Sequence, residues 1–222
     1  MLERALEADA GAMTTHDFGR DIIPALIGHV PMHAYRFYDE NKKAFHYWRD
    51  IGTLDAYYEA NMDLCQVDPK FNLYDPEWPL RTYQPQAPPA KFVFADVGRR
   101  YGEAIDSIVS PGCIVSGARV VGSILCPNVR VHSYATIERG ILMPGVRVGR
   151  HARLRRVIVD DEVLVPRGAR IGYDIDEDRR RHTVTEQGVV VVTRGDEPLV
   201  GPIEDEALAV EAENDRRGAG DA

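Results

Sequence analysis

Two isolated carboxylates stand out as residues that could do chemistry. Asp50 closes the string Tyr-Trp-Arg-Asp, just before a segment with helical spacing. A carboxylate in that place can serve a hard cation such as Mg²⁺, which usually takes only one or two of them. It can equally stabilise the positive end of the following helix, and the residues alone favour that role. Asp17 begins Asp17-Phe18-Gly19, which alone is an ordinary turn. Its likeness to the Asp-Phe-Gly motif of protein kinases is chance, because no other kinase motif accompanies it.

Arginines are the second group of residues that could do chemistry. Arg194 follows a strand-like run and could hold a phosphate group, or it could simply be a solvated strand end. Arg153, Arg155 and Arg156 form a local basic run that could attract a small anion. The sequence leaves these alternatives open.

The cysteines and histidines show no ligand pattern. Cys65, Cys113 and Cys126 are odd in number and lack metal spacing, which is typical of reduced thiols in a cytosolic protein. Among the seven histidines, His132 and His151 fall at corners of different columns in the repeat described next. We assign none of them a role.

A repeat of seventeen residues between Ile108 and Gly172 organises the chain around these side chains. Each repeat contains an inner spacing of six residues, which is typical of a hexapeptide parallel β-helix. Four columns keep one residue type through four repeats. These columns are Ile114, Val131, Val148, Val165; Val120, Ile137, Leu154, Ile171; Ile108, Leu125, Leu142, Val159; and Ala118, Ala135, Ala152, Ala169.

The columns follow from the packing of a solenoid. Each coil is expected to contain three short strands and three tight corners, so that like residues stack on like. Val and Ile suit a crowded pleated wall, and alanine fits where a corner leaves no room. A β-sandwich with coincidental spacing is disfavoured, because the columns hold over every repeat.

Composition sets broad limits on function. The chain has 222 residues, 44% hydrophobic residues and a net charge of −8, which disfavours a nucleic-acid-binding surface. No apolar run reaches transmembrane length, and the first residues lack the pattern of a signal peptide. We therefore expect a cytoplasmic location and no membrane partner.

The flanks of the repeat show weaker patterns. The spacing predicts a helix over 1–11, a short strand over Ala34–Tyr38 and a helix from Leu54 to Leu64 with Thr53 as its N-cap. The run 188–193 has a strand pattern, and 174–181 is an acidic-then-basic run. We divide the chain into 1–67, a partial α/β segment; 68–95, a Pro-rich extended linker; 96–194, the solenoid; and 195–222, a disordered acidic tail.

Several strings in this order resemble glucose-1-phosphate adenylyltransferase, over about residues 14–194. The strings are HDFGRDIIP, YWRDIGTLDAYYEANMDL, NLYDPEWPLRTY, PPAKFV and GVVVVTR. The resemblance implies a mainly β fold, a left-handed parallel β-helix (hexapeptide-repeat solenoid) preceded by a partial α/β nucleotidyltransferase segment. The left hand comes from the resemblance alone, since general chirality favours right-handed crossovers.

The resemblance also implies an activity and its residues. The family transfers AMP from ATP to α-D-glucose 1-phosphate, giving ADP-glucose and pyrophosphate in glycogen and starch biosynthesis, with Mg²⁺ as cofactor. Asp50 matches a metal-binding, catalytic carboxylate, and Asp17 and Phe18 match the lining of the glucose pocket. Trp48 matches an aromatic at the same sugar, although unsupported it would more often belong to a core. Arg20 replaces a frequent lysine, which keeps the charge but changes its shape.

Regulation is the other theme that the resemblance implies. Family members bind allosteric effectors between their two domains, and Arg194 matches a basic residue near that effector site. Asp161 stands where some relatives carry arginine, which puts effector binding in doubt. A homotetramer is the implied assembly.

Parts of the family pattern are absent from these 222 residues. We find no Gly-rich GGxGxRL loop to cradle phosphates, no lysine-bearing EKP string and no first metal-binding aspartate. We therefore expect the chain to correspond to the end of the catalytic domain plus the solenoid, as a fragment, a mis-called gene start or a genuine short subunit, and to be inactive alone. The alternative is a non-catalytic regulatory or oligomerisation subunit. An acyltransferase using His132 or His151 is disfavoured, because it leaves the YWRD and PPAKFV strings unexplained.

Overall fold

The computed structural model describes residues 1–39, 43–76, 79–83, 85–94 and 100–196. The chain forms two compact units, Met1–His46 and Tyr47–Ala222, which we describe separately. The predicted tail from residue 197 onward lies outside the described residues, as do residues 40–42 of the first unit.

The first unit contains short elements and little core. They are α1 (Leu2–Ala10), a π-helical turn (Phe18–Ile22), α2 (Ile23–Leu26), and the antiparallel strands β1 (Tyr38–Asp39) and β2 (Ala44–Phe45). Ile22 is the buried hydrophobic residue among those described in this unit. The strand predicted over Ala34–Tyr38 is wrong except for its last residue, because the partner strand offers only two residues to pair with.

The second unit is a parallel β-solenoid of about four turns with helices at its side and end. Its elements in chain order are α3 (Leu54–Asp63), β3 (Lys91–Val93), β4 (Glu103–Ile105), β5 (Ile108–Val109), β6 (Ile114–Ser116), β7 (Arg119–Val121), β8 (Ile124–Leu125), β9 (Arg130–Val131), β10 (Thr136–Glu138), β11 (Ile141–Leu142), β12 (Arg147–Val148), β13 (Arg153–Arg155), β14 (Val157–Val159), β15 (Leu164–Val165), β16 (Arg170–Ile171), α4 (Ile175–Arg181), β17 (Thr183–Val184) and β18 (Val190–Val192). The predicted mainly β solenoid is confirmed.

Three parallel sheets form the walls of the solenoid. The first has the order β3-β6-β9-β12-β15, the second β4-β7-β10-β13-β16, and the third β5-β8-β11-β14-β18-β17. The edge strand β17 pairs antiparallel with β18, and the other pairs in these sheets are parallel. The first strand, β3, lies within the segment 68–95 that the sequence analysis assigns to the linker. Each turn of the chain thus contributes one strand to each sheet.

The seventeen-residue register relates the paired strands from β7 to β16. Val131 pairs with Val148 and Val148 with Val165, while Ile137 pairs with Leu154 in the second sheet. All these side chains are buried. The alanine column follows the same offset, and its first three members are buried. These members are Ala118, Ala135 and Ala152.

The turn formed by β4, β5 and β6 is one residue shorter than the turns that follow it. Val115, not Ile114, pairs with Val131 and is fully buried, so the predicted inward position of Ile114 is wrong. Two residues separate Val115 from Ala118, whereas three separate Val131 from Ala135. Because neighbouring strand residues face opposite sides, this one-residue difference exchanges inward and outward positions.

The same shift moves Ile108 to the outside of the third sheet. Val109 pairs with Leu125 and packs against the core, so the predicted inward position of Ile108 is also wrong. Ile108 instead joins an outer apolar column that α3 covers with Tyr58 and Met62. The buried members of this outer column are Ile124, Ile141 and Ile158, and Val191 pairs with Ile158 at its end. The solenoid therefore has an inner core and a second core under α3.

The helix α4 closes the end of the solenoid, where the sequence indicated only a charged run. Asp174 caps it by accepting from the backbone N–H of Glu177 at 3.1 Å. Acidic residues occupy its first turn and arginines its last. This order stabilises the helix, because each charge is opposite to the partial charge of the helix dipole at that end. Among the described residues, no helix is both long and apolar enough to cross a membrane.

Candidate functional site

Asp50 lies in the loop that leads into α3. It is exposed, and its Oδ1 accepts from the backbone N–H of Gly52 at 2.8 Å. A Cβ at position 52 would lie 3.1 Å from that oxygen, so glycine suits the turn. The start of α3 is stabilised by other residues, because Thr53 Oγ1 accepts from Ala56 N at 3.1 Å and Asp55 is the acidic residue of the first turn. The helix-end role considered for Asp50 is thus already filled by Thr53 and Asp55.

Arg49 fastens this loop onto α3. Its Nη1 donates to Asp63 Oδ2 at 2.5 Å, and its Nη2 donates to Glu59 Oε2 at 2.8 Å. The two carboxylates are four residues apart and share one face of the helix. Because Arg49 is the neighbour of Asp50, this double contact restrains the candidate metal carboxylate. Arg49 was not among the residues predicted from the sequence, although the spacing of Glu59 and Asp63 could have indicated it.

Trp48 lies on the other side of Arg49 and is 83% exposed. The alternative in which Trp48 fills a core does not describe this structure. An exposed indole two residues from an exposed carboxylate is an arrangement that can present a flat apolar surface beside a polar group.

Asp17 and Phe18 lie in the first unit, at the start of the π-helical turn. Asp17 Oδ1 accepts from the backbone N–H groups of Gly19 and Arg20 at 2.8 and 2.7 Å. Phe18 is 47% exposed. Asp21 stabilises the turn, because its Oδ2 accepts from Thr15 Oγ1 and from the N–H of Asp17.

The hydrogen bonds to Asp21 have an electrostatic consequence. The Thr15 hydroxyl and then the Asp17 amide lower the pKa of Asp21, so its carboxylate stays ionised and keeps the turn in place. Asp21 is another residue that the sequence analysis missed. Its spacing of four from Asp17 is the signal that could have found it.

Arg194 lies at the end of the solenoid and contacts two carboxylates. Its Nε donates to the carbonyl oxygen of Asp161 at 2.8 Å, and its Nη2 forms an ion pair with the Asp161 carboxylate. Glu162 Oε2 lies 3.3 Å from the same Nη2. The corner therefore carries one positive and two negative charges. An anion that binds Arg194 must compete with the Asp161 carboxylate.

The remaining reactive side chains are poor candidates for chemistry. Cys65, Cys113 and Cys126 are free thiols, and burial raises the pKa of each, which makes them weak nucleophiles at neutral pH. His151 stacks on Tyr134 with ring centroids 4.8 Å apart. The described residues contain no group of three or more His, Cys, Asp or Glu placed to hold a metal ion.

The candidate residues fall into three places. Asp17 and Phe18 are neighbours in the first unit, Trp48 and Asp50 lie two residues apart before α3, and Arg194 lies at the end of the solenoid.

The comparisons with known proteins match two successive parts of the chain. Residues 1–67 match the nucleotidyl transferase family model, and residues 88–192 match the model for the C-terminal hexapeptide domain of GlmU-like proteins. The fold and the matches together define a nucleotidyltransferase segment joined to a hexapeptide solenoid.

Similar curated proteins give the particular family. Glucose-1-phosphate adenylyltransferase of Koribacter versatilis is 53% identical over 85% of this chain and 45% of the relative. The proteins of that name from Rhodopirellula baltica and Methylobacillus flagellatus are 50% and 54% identical, over 91% and 81% of this chain and 46% and 43% of the relatives. The chain belongs to the glucose-1-phosphate adenylyltransferase family. It spans about half the length of the relatives that it matches.

Proposed function

We propose that this chain supplies a metal-binding carboxylate, part of the sugar pocket and the solenoid of a glucose-1-phosphate adenylyltransferase. In that reaction a phosphate oxygen of α-D-glucose 1-phosphate bonds to the α-phosphorus of ATP as the bond to pyrophosphate breaks, which yields ADP-glucose. Identity of about half over most of the chain supports this proposal. The observation that carries it furthest is the exposed Asp50 carboxylate on a loop that Arg49 restrains.

Asp50 fits a magnesium ligand by its surroundings. The Gly52 amide is the described donor to its carboxylate, and the exposed side chain leaves room for a hydrated cation. Mg²⁺ keeps several waters and takes one or two protein carboxylates, so one restrained carboxylate is a sensible contribution. The chemistry that bound Mg²⁺ supplies here is neutralisation of charge on the triphosphate.

Three further residues are proposed for the sugar. The Asp17 carboxylate would accept from glucose hydroxyls, and the exposed rings of Phe18 and Trp48 would cover apolar faces of the pyranose. The backbone donors that hold Asp17 Oδ1 fix the direction of the carboxylate. A homotetramer acting in cytoplasmic glycogen biosynthesis is the assembly and setting that we propose with this activity.

Arg194 is proposed as an effector-binding residue with an unusual starting state. Its ion pair with Asp161 occupies the guanidinium that would bind an anionic effector. Binding would therefore require exchange of one carboxylate for the effector. A guanidinium suits phosphate or carboxylate effectors because it donates in a planar fork.

One experiment tests the proposed role of Asp50. We would replace the matching segment of the Koribacter versatilis relative with this chain and measure pyrophosphate release from ATP and glucose 1-phosphate. Asp50→Asn keeps the size but removes the charge, so turnover should fall about a hundredfold, near 3 kcal/mol of transition-state stabilisation. The Mg²⁺ concentration for half-maximal rate should rise. Near-normal turnover at normal Mg²⁺ would remove Asp50 from the site.

Asp68→Asn is the matched control, because Asp68 is an exposed aspartate of the same unit and should leave the rate unchanged. The chain assayed alone should release no pyrophosphate above background, since it contains no Gly-rich phosphate loop. Turnover by the chain alone, abolished by EDTA, would contradict this expectation. The non-catalytic alternative predicts instead that the chimaera stays inactive while the chain still changes the regulation of a complete enzyme.

A further inference from the structure

The end of the solenoid touches the first turn of α3 through one threonine. Thr185 lies in the turn between β17 and β18, and its Oγ1 donates to Asp55 Oδ1 at 2.5 Å. The same oxygen accepts from the backbone N–H of Val189 at 3.0 Å. The hydroxyl therefore joins the hairpin turn to the helix with both its donor and its acceptor in use.

The rest of α3 is held to the solenoid by different means. Tyr58 is 1% exposed, packs on the outer apolar column and donates from its hydroxyl to the carbonyl oxygen of Arg139 at 2.6 Å. These contacts fix the middle of the helix, one turn after Asp55. At the first turn, the Thr185 hydroxyl is the described polar link between α3 and the hairpin.

Asp50 lies in the loop just before the first turn of α3. Asp50 precedes Asp55 by five residues, and the intervening loop is short and held by Arg49. Residues 51–54 alone therefore join the Asp50 carboxylate to Asp55 in the first turn.

The other end of the same hairpin carries Arg194. The strand β18 is three residues long, about 10 Å at the usual rise per residue. Arg194 follows it by two residues and pairs with Asp161. One hairpin thus has its turn on Asp55 and its exit at the arginine corner.

We infer that Thr185 is a positioning residue, whose hydroxyl fixes the first turn of α3 and couples the Arg194 corner to the Asp50 loop. The functional meaning of this coupling rests on the proposed function. The hydroxyl itself touches no reacting group. It acts through Asp55, whose charged oxygen makes a stronger acceptor than a neutral one.

Amide hydrogen exchange of the 222-residue chain, measured by NMR, tests the link directly. The amides of Ala56 and Tyr57 report on the first turn, because they donate to Thr53 Oγ1 and to the Thr53 carbonyl. Thr185→Val keeps the shape but removes the hydroxyl, and should speed exchange at both amides about tenfold. Thr185→Ser retains the hydroxyl and should restore wild-type exchange.

Thr183→Val is the control in the same hairpin, since Thr183 is exposed and should leave exchange unchanged. Wild-type exchange at Ala56 and Tyr57 in Thr185→Val would overturn the inference. If that variant speeds exchange throughout the solenoid, Asp55→Asn tests the same bond from the helix side. Faster exchange confined to the first turn in Asp55→Asn then supports the link, and unchanged exchange rejects it.

A double-mutant cycle tests the coupling to the arginine corner. Arg194→Gln breaks the pair with Asp161, and should speed exchange at Ala56 when Thr185 is present but add nothing in Thr185→Val. Additive effects of the two changes would overturn the coupling. These measurements need no catalysis, so an inactive chimaera would reject the proposed function and leave the link intact. Failed coupling would leave the role of Asp50 intact.

Discussion

At the scale of single residues, the solenoid discriminates sharply between inward and outward positions one residue apart. Ala135 is buried in a column of alanines, whereas Arg147 is exposed and pairs in register with Arg130. The inward position is limited by volume. The outward position places two like charges side by side, so keeping both arginines does not stabilise the fold.

Ala135→Leu should therefore lower the free energy of unfolding by about 1–3 kcal/mol, because the added methyl groups overpack the corner. Arg147→Ala should change it by less than about 0.5 kcal/mol. Urea midpoints of the two variants measure the contrast. Equal midpoints would contradict the inward position of Ala135 and the outward position of Arg147.

The residue patterns predicted the columns but missed where they shift. Identical spacing made Ile114 and Val131 look equivalent, yet the shorter corner before Ala118 gives the inward place to Val115. Sequence periodicity cannot show a one-residue deletion when both neighbours are apolar. The strings predicted Asp50 and Trp48 as site residues, a prediction that still stands to be tested by mutation. The contacts of Arg49 and Thr185 were not predicted, because their partners are distant in sequence or lie on another element.

At the scale of elements, the terminal hairpin and α4 form one hydrogen-bonded cap. Asp196 accepts from the N–H and the hydroxyl of Thr193 at 2.9 and 2.8 Å, and lies 2.6 Å from His182 Nδ1. Burial on its own would raise the pKa of Asp196, but the bonds from Thr193 and His182 outweigh it, so the pKa lies below the ordinary carboxyl value. A depressed pKa means that the ionised form stabilises the fold above the ordinary pKa and that this stability is lost as pH falls through the lowered value.

Asp196→Asn should thus cost about 1–3 kcal/mol at pH 7. The deficit relative to wild type should shrink below the ordinary carboxyl pKa and vanish in stronger acid. Burial raises the pKa of nearby Asp178, which has the opposite sign, but this residue is present in both proteins. Urea unfolding across pH 7 to 2 tests the prediction, with the exposed Asp176→Asn as control. A deficit that stays constant with pH would argue against it.

The elements were predicted unevenly, for physical reasons. The helix after Thr53 was expected because its cap and spacing are local signals, and the structure has it at Leu54–Asp63. The helix α4 was missed because few of its residues are apolar, although Asp174 and the acid-to-base order are helix signals in their own right. The strand over Ala34–Tyr38 failed because its length is set by its partner.

At the scale of the whole molecule, the two units differ in how many of their apolar residues are buried in a core. Both apolar clusters consist of residues from Tyr57 onward, and α1 of the first unit buries no residue. The stability of the second unit should therefore be independent of the first.

A pair of truncations tests this independence. Removing residues 1–46 should leave the thermal midpoint within about 4 °C of the full chain, since about 1 kcal/mol shifts a domain of this size by 2–4 °C. Removing residues 183–222 is the matched comparison, because it deletes β18 and exposes the core that Val190 and Val192 cover. Loss of two buried valines and a strand should cost several kcal/mol and lower the midpoint by more than about 10 °C. Circular dichroism melts at one protein concentration compare the three chains. If the first truncation lowers the midpoint as far as the second, the core of the solenoid depends on residues 1–46, and the independence argued from the two clusters is wrong.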